Sequence, residues 1–246
     1  MKPALRLLGL LLLGLLGLQL YFVVRIAAMA VVAPESTTFE RSEAWRIAHT
    51  KGRVPWRQQW VPYSQISDHL KRAVIASEDD GFSAHGGVDW EAIQKAWDKN
   101  AKAEQRAASR KSTAPQAASN AKPPKIVGGS TITQQLAKNL FFAGERTLLR
   151  KGQELVVTLL LEQLLSKQRI LEIYLNHVEW GEGVFGAEAA AQHYYRKPAS
   201  KLNAYEAARL AVMLPRPRYF EKLPNSGYVA ERASVIVGRM GSAQLP

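Results

Sequence analysis

The amino-acid sequence predicts a mainly α-helical protein with an N-terminal transmembrane helix. An uninterrupted apolar run lies near the N-terminus, and apolar residues recur with helical spacing over most of the chain after Ile66. The alternation of apolar and polar residues that is typical of strands is scarce. At 246 residues, the chain is long enough for one sizeable domain with its own core in addition to the membrane helix.

Composition limits the classes of protein and of partner. Apolar residues make up 47% of the chain and charged residues 22%, which fits a globular protein. The formal net charge of +12 favours a polyanionic partner: nucleic acid, anionic lipid headgroups or a phosphate-bearing substrate. Composition does not choose among these three. The absence of cysteine excludes disulfides, cysteine-ligated zinc and thiol catalysis.

The apolar run covers residues 7–24, carries no charge, and has Gln19 as its only strongly polar side chain. Its 18 residues are just enough to span a bilayer. The apolar flank at residues 26–33 extends the span if Arg25 reaches back to the headgroups. We therefore predict a transmembrane anchor over residues 7–33.

The charges around this run predict its orientation. Lys2 and Arg6 precede it, so residues 1–6 form a cytoplasmic tail and the rest of the chain is exported. The alternative is a signal peptide that is cleaved after Ala28-Met29-Ala30. The length of the run and the position of Arg25 just before that site favour retention.

Residues 34–65 combine polar residues with four large aromatic ones: Trp45, Trp56, Trp60 and Tyr63. We predict a juxtamembrane connector here, and a catalytic or binding domain over residues 66–246. The aromatic rings could lie in the membrane interface or pack on the domain, and the sequence leaves both alternatives open.

Residues 100–125 differ from the rest of the chain. They consist mostly of Ala, Ser, Lys, Gln and Pro, with six Lys or Arg against one Glu and no aromatic residue. Such a composition buries little apolar surface, so we predict a mobile basic loop. Beyond it, helices are expected at about residues 131–142, 148–165, 167–176, 184–195 and 204–214.

A row of polar side chains is predicted on the first of these helices. Thr131 and Gln134 have the spacing of a capping box, and Thr131, Gln135 and Lys138 follow the helical period on one face. A helix N-terminus with a lysine nearby suits a phosphate or pyrophosphate group. Spacing alone favours the alternative, which is the solvated face of an ordinary amphipathic helix.

Two acidic segments are candidates for chemistry. Glu78 ends a helical pattern and is followed directly by Asp79 and Asp80. Consecutive acids raise one another's pKa when they are partly buried, which produces a proton-transfer group, but a solvated acidic turn is the alternative. His85 alone would more often be structural than catalytic.

The second segment begins a strongly apolar helix pattern. Glu154 follows Arg150 by four residues, and Lys151 is adjacent to Arg150. This spacing predicts either a surface ion pair along the helix or the floor of a binding site. Spacing does not decide between them.

Five motifs occur in one order over roughly residues 66–219. Residues 78–89 match E-D-x-x-F-x-x-H-x-G-x-D, residues 130–140 match S-T-I-T-Q-Q-x-x-K-N-L, residues 150–154 match R-K-x-x-E, residues 169–176 match R-I-L-E-x-Y-L-N, and residues 214–219 resemble the last motif. Together they resemble the family-51 peptidoglycan glycosyltransferases, whose domain also occurs in class A penicillin-binding proteins. Residues 181–202 are most similar to the monofunctional proteobacterial enzymes.

The resemblance implies a mainly α-helical, lysozyme-like glycosyltransferase domain with a membrane-associated lobe. It implies lipid II as the acceptor and a growing, lipid-linked glycan strand as the donor, used at the bacterial inner membrane. Cell-wall synthesis or division proteins are further expected partners, and nucleic acid is not. The predicted loop of residues 100–125 is longer than the corresponding loop is usually in the family, so no donor contact is assigned to it.

The resemblance also implies roles for individual residues. Glu78 resembles the general base and Glu154 a second essential carboxylate. The expected substrate-binding residues are Asp79, Phe82, His85, Ser130, Thr131, Gln135, Lys138, Asn139, Arg150 and Lys151, of which the three cations hold the donor's phosphates. No cofactor is assigned: Mg²⁺ or Mn²⁺ could bridge the pyrophosphate and a carboxylate such as Glu154, or the three cationic side chains could suffice.

Two other functions remain as alternatives. A lysozyme-like enzyme that cleaves glycan would use Glu78 as a general acid, but it has no need of phosphate-binding cations such as Lys138 and Arg150. A membrane-tethered basic binding module would explain the net charge, but not the contexts of Glu78 and Glu154. Residues 119–122 have the S-x-x-K pattern of a transpeptidase, which we attribute to chance because no Lys-Thr-Gly follows.

Overall fold

The computed structural model describes residues 2–113, 129–142 and 147–246. The predicted predominance of helix is confirmed. The helices are α1 (Lys2–Ala28), α2 (Thr38–Lys51), α3 (Asp68–Glu78), α4 (Trp90–Thr113), α5 (Ile132–Phe141), α6 (Leu148–Leu164), α7 (Lys167–His177), α8 (Ala187–Tyr195), α9 (Ala204–Met213), α10 (Pro217–Phe220) and α11 (Gly227–Arg239). The strands are β1 (Arg57–Gln58), β2 (Glu179–Gly181) and β3 (Val184–Phe185).

Helix α1 contains the predicted apolar run. Within the described residues, it is the one helix long and apolar enough to cross a membrane, and the qualifying segment is Pro3–Ala28. Most of its leucines are exposed, whereas Phe22, Ile26 and Met29 at its C-terminal end are buried in the core of the domain. The end of α1 is therefore packed against the domain that follows it.

The core lies between two groups of helices. Helix α3 packs on α9, which packs on α11, while α5 packs on α2, α6 and α7. The spacing of Ile132, Leu136 and Leu140 in the sequence places them on one face of α5, and all three are buried. Burial of these faces holds the C-terminus of α3 and the N-terminus of α5 in place, and both carry candidate site residues.

A small three-stranded sheet has the order β1-β3-β2. Strand β1 runs parallel to β3, with Arg57 opposite Val184, and β2 runs antiparallel to β3. Gly183 in the β2–β3 turn has φ +75°, and a Cβ there would overlap the carbonyl oxygen of Pro55. Because residues 184 and 185 pair with β1, the helix expected over residues 184–195 begins only at Ala187.

The connector predicted for residues 34–65 belongs to the domain in the structure. Helix α2 and strand β1 pack on it, and Glu40 of α2 is fully buried and accepts a hydrogen bond from Gln58 at 2.8 Å. Trp56 stacks on Phe185 with ring centroids 4.6 Å apart. Trp60 also packs on the core, whereas Trp45 is 70% exposed. Of the two alternatives left open for the aromatic residues, packing on the domain holds for Trp56 and Trp60.

The basic loop predicted for residues 100–125 is helical over its first part, because α4 continues to Thr113. Ala, Lys, Arg, Gln and Glu are strong helix formers, so low apolar content here does not exclude helix. The prediction of a loop considered only how little apolar surface this segment can bury, and it neglected the helix propensity of these residues. Residues 114–125 of the predicted loop lie outside the described residues.

Candidate active site

The two acids at the end of α3 lie at a cleft of about 230 Å³. Ser67 caps the N-terminus of the helix, and Leu70 and Val74 bury its apolar side. Glu78 is the last helical residue, half-buried, and Asp79 follows as the C-cap. Ser130 and Thr131, next to the start of α5, also line this cleft.

Glu78 is held by a side chain from α5. Gln135 Nε2 donates a hydrogen bond to Glu78 Oε2 at 3.0 Å, and Tyr174 of α7 donates to Gln135 Oε1, also at 3.0 Å. Burial raises the pKa of Glu78 above its ordinary value, and the charge of Asp79 adds to this, while Gln135 and Lys138 act in the opposite direction. A carboxylate with a raised pKa is a stronger base than an exposed one.

Asp79 and His85 form hydrogen bonds within the domain. Asp79 is 7% exposed; its Oδ1 lies 2.8 Å from His85 Nε2, and its Oδ2 accepts the backbone N–H of Ile132 at 2.9 Å. His85 Nδ1 accepts the N–H of Gly87, so Nε2 carries the proton that is donated to Asp79. Phe82 is fully buried, with the ammonium of Lys167 4.5 Å from its ring centre. The structure therefore gives these three residues inward contacts, and their direct contact with substrate stays a prediction.

The N-terminus of α5 has the predicted capping box. Thr131 accepts the N–H of Gln134, the Gln134 side chain accepts the N–H of Thr131, and Thr131 Oγ1 also donates to the carbonyl of Gly87 at 2.7 Å. Lys138 is exposed one turn after Gln135, and its charge acts on Glu78. Asn139, one of the expected substrate-binding residues, is buried.

A second cluster lies in the first turns of α6. Glu154 is 4% exposed, and it accepts hydrogen bonds from Arg150 Nη1 at 2.7 Å and from Lys151 Nζ. The predicted pair at i, i+4 is thus present, and it is not a surface pair. Arg150 Nε is buried without a hydrogen-bond acceptor within the described ranges. A buried donor of this kind lacks the acceptor that an anionic ligand would supply.

The two clusters lie on different helices that pack together, α5 and α6. In the part of the chain that the structure describes, no recorded hydrogen bond or ion pair joins Glu78, Gln135 or Asp79 to Arg150 or Glu154. Within the described residues, the two clusters are therefore not joined directly by a hydrogen bond or an ion pair.

Most of the possible metal-ligand atoms at the two clusters already form hydrogen bonds or ion pairs within the described residues. The possible ligand atoms of Asp79, His85 and Asp89 lie within 4.8 Å of one another. Asp79 and His85 already use their side-chain oxygens and nitrogens in hydrogen bonds, and Asp89 Oδ1 accepts the N–H of Ala92. Each oxygen of Glu154 faces a cation, so a divalent ion there would have to displace Arg150 or Lys151.

Sequence reasoning missed two contacts that support the site. Tyr174 lies in the R-I-L-E-x-Y-L-N motif, which was the only signal for it, and it had been given no role. Glu162 of α6 accepts hydrogen bonds from Thr133 Oγ1 at 2.5 Å and Lys167 Nζ at 2.8 Å, beneath Gly87. A buried acid within the largely apolar pattern of α6 could have indicated it.

A half-buried carboxylate with a raised pKa at a cleft, together with a cationic cluster, is an arrangement typical of enzymes that act on anionic substrates. The chain belongs to the transglycosylase family, whose model matches residues 46–241. The resemblance inferred from the five motifs is thereby confirmed.

Relatives with a described activity cover nearly the whole chain. A biosynthetic peptidoglycan transglycosylase of Burkholderia thailandensis is 54% identical over 94% of this chain and 83% of its own length. Proteins of the same description from Burkholderia vietnamiensis and Burkholderia pseudomallei are 51% and 52% identical, over 94% of this chain and 86% and 83% of their own lengths.

Proposed function

We propose that this enzyme polymerises peptidoglycan glycan strands from lipid II, with Glu78 as the general base. Membership of the transglycosylase family and the description of its relatives support the reaction class. The observation that carries the residue assignment is the half-buried carboxylate of Glu78 at the cleft, held by Gln135 and with a raised pKa. Both sugars of the reaction would meet at this carboxylate.

The reaction is a single displacement. The Glu78 carboxylate takes the proton of the acceptor's 4-hydroxyl while that oxygen attacks the anomeric carbon of the donor strand. The bond between this carbon and the pyrophosphate oxygen breaks, and polyprenyl pyrophosphate leaves with the electron pair. One displacement inverts the anomeric centre and needs no covalent glycosyl-enzyme.

The cations would stabilise the leaving pyrophosphate. Arg150 has a buried Nε without an acceptor among the described residues, and the Lys151 side chain is 52% exposed. Glu154 holds both cations, so their charge is oriented before the donor arrives. Lys138, exposed on α5, would act from the side of Glu78. Such preorganised charge contributes strongly to catalysis when charge develops on a leaving group.

Helix α1 would anchor the enzyme in the bacterial inner membrane. Its length and apolar composition support a single span, and Lys2 and Arg6 favour a cytoplasmic N-terminus. The domain would then face the periplasm, where lipid II is used, and where cell-wall synthesis or division proteins would be its partners. Substrate and enzyme would share one membrane surface.

The decisive experiment incubates the purified full-length protein in detergent with lipid II. We expect long glycan strands and release of polyprenyl pyrophosphate, both abolished by a glycosyltransferase inhibitor. A parallel incubation with purified peptidoglycan tests the hydrolase alternative. Soluble fragments from peptidoglycan without polymer from lipid II would overturn the proposal, and no product from either substrate would leave only a binding role.

A further inference from the structure

We infer that Tyr174 is a positioning residue for Glu78 and acts through Gln135. This inference rests on the proposed role of Glu78 as the general base. The three side chains come from three helices: Tyr174 from α7, Gln135 from α5 and Glu78 from α3. Their hydrogen bonds form a chain from the core of the domain to the cleft.

The geometry fixes both bonds. Tyr174 is 1% exposed, and its hydroxyl lies 3.0 Å from Gln135 Oε1. Gln135 Nε2 lies 3.0 Å from Glu78 Oε2. The rigid core therefore determines where the phenol lies, and the phenol determines where the amide points.

Donor and acceptor rules give each group one role while Glu78 is an anion. A carboxylate only accepts, so Gln135 must present its NH₂ group to Glu78. The amide oxygen then faces Tyr174, and because a carbonyl only accepts, the phenol must donate. Burial, with the charges of Glu78 and Asp79, raises the pKa of Tyr174 well above its ordinary value, so the phenol keeps this proton.

The reversed amide would suit a protonated Glu78 instead. Its carbonyl would then face the acid, and its NH₂ would face the phenol oxygen. The phenol proton would have to find another acceptor in a fully buried position, and leaving it without one is unfavourable. Tyr174 thus favours the amide orientation that stabilises the charged, proton-accepting form of Glu78.

Replacement of Tyr174 by Phe removes this preference. Either orientation of the Gln135 amide then leaves one end against an apolar ring, and the bond that lowers the pKa of Glu78 is no longer enforced. Asp79 and Lys138, the charged groups that also act on the pKa of Glu78, are unchanged in this variant. The pKa of Glu78 rises further, so a larger fraction of the enzyme carries a protonated base at a given pH.

The test is the pH profile of kcat and kcat/KM on lipid II, measured with the full-length protein in detergent. For Tyr174→Phe we expect the acid limb to move to higher pH and kcat on that limb to fall roughly 10-fold, with little change in KM. Activity should recover towards the wild-type plateau at high pH. Tyr194→Phe is the matched control, because it removes a hydroxyl that donates to the Trp180 carbonyl at 2.7 Å, and its profile should not move.

Two further variants make the result decisive. Gln135→Leu should shift the acid limb in the same direction, and adding Tyr174→Phe to it should produce no further shift, since Tyr174 acts through Gln135. An unmoved limb in either single variant, or an equal shift in Tyr194→Phe, overturns the inference. Glu78→Gln separates the two claims. If Glu78→Gln turns over lipid II normally, the assignment of Glu78 as the base fails. If Glu78→Gln is inactive while Tyr174→Phe keeps the wild-type pH profile, only the role of Tyr174 fails.

Discussion

Asp79 Oδ2 accepts the backbone N–H of Ile132 at 2.9 Å, so the residue after Glu78 binds the N-terminus of α5. An anionic side chain at a helix N-terminus is stabilised by the unpaired N–H groups there. The other oxygen of Asp79 accepts from His85. The end of α3 is thereby fixed to the start of α5, the two helices whose Glu78 and Gln135 meet at the cleft.

The first prediction concerns this junction. Asp79→Asn puts one NH₂ group opposite an N–H donor, either that of Ile132 or that of His85. We expect a loss of about 1–3 kcal/mol in the free energy of unfolding and a lower polymerisation rate. Thermal unfolding in detergent and turnover of lipid II check both.

Asp80→Asn is the matched control for Asp79→Asn. Asp80 is adjacent, but its side chain is exposed and pairs with Arg239 at the surface. Its replacement should change stability by no more than about 0.5 kcal/mol. Equal melting temperatures for the two variants would show that the buried junction has no special importance.

The second prediction is that Glu78→Gln inactivates the enzyme and stabilises it. Turnover should fall at least about 100-fold, the scale for loss of a general base. Because the folded state raises the pKa of Glu78, its charged form opposes folding at neutral pH, and this penalty disappears as pH falls below the ordinary glutamate pKa of about 4.3. The gain in melting temperature should therefore be largest at neutral pH and shrink towards acid pH. Near-wild-type turnover would remove Glu78 from the mechanism.

The third prediction tests the cationic cluster. Arg150→Ala and Lys138→Ala should impair use of the pyrophosphate-linked donor. Arg150→Lys should not restore full activity, because one ammonium cannot both bind Glu154 and replace the unpaired Nε donor. Strand elongation from lipid II is the measurement, with the exposed Lys222→Ala as a control for general loss of positive charge. Normal elongation in both alanine variants would show that the pyrophosphate lies elsewhere.

Local patterns in the sequence predicted local structure well. The capping box at Thr131, the buried face of α5 and the pair of Arg150 with Glu154 all depend on residues within about two helical turns, and all are present. Helical periodicity also located α6, α7 and α9 to within about two residues.

Contacts between distant segments could not be predicted in the same way. Tyr174 donates a hydrogen bond to Gln135, which lies 39 positions away in the sequence. Gln58 donates a hydrogen bond to Glu40, and both lie in the segment that was predicted from its composition to be a connector. The inward orientation of Asp79 also depends on the fold, because a three-acid run can be solvated or buried with the same spacing. The motifs identified the residues, and only the hydrogen bonds between the end of α3 and α5 showed which side chains face the cleft and which face the interior.

The fourth prediction is that α1 stays attached in the mature protein. Phe22, Ile26 and Met29 are each no more than 5% exposed, and Arg169 Nε donates to the carbonyl of Met29 at 2.7 Å. Cleavage after Ala30 would remove these three side chains and expose the core surface they cover. Intact mass measurement of the protein from the membrane fraction should give the full-length chain, whereas a mature N-terminus at Val31 would contradict this.

The last prediction concerns the one strongly polar side chain of the apolar run. Gln19 and Gln153 exchange two amide hydrogen bonds, at 3.2 and 3.3 Å, which join α1 to the helix that carries Arg150 and Glu154. In an apolar environment such a pair is worth roughly 0.6–2 kcal/mol. Gln19→Leu should therefore lower the melting temperature, because Gln153 is left without its partner.

The double variant Gln19→Leu/Gln153→Leu should recover most of that loss, since two apolar side chains in contact need no hydrogen bond. Leu10→Ala, at an exposed position of the same helix, should leave the melting temperature of the domain unchanged. If α1 were only a tether, Gln19→Leu would behave like Leu10→Ala. A loss specific to Gln19 that is reversed by the second substitution would show that α1 is docked in a defined register against α6, beside the cations proposed to hold the leaving group.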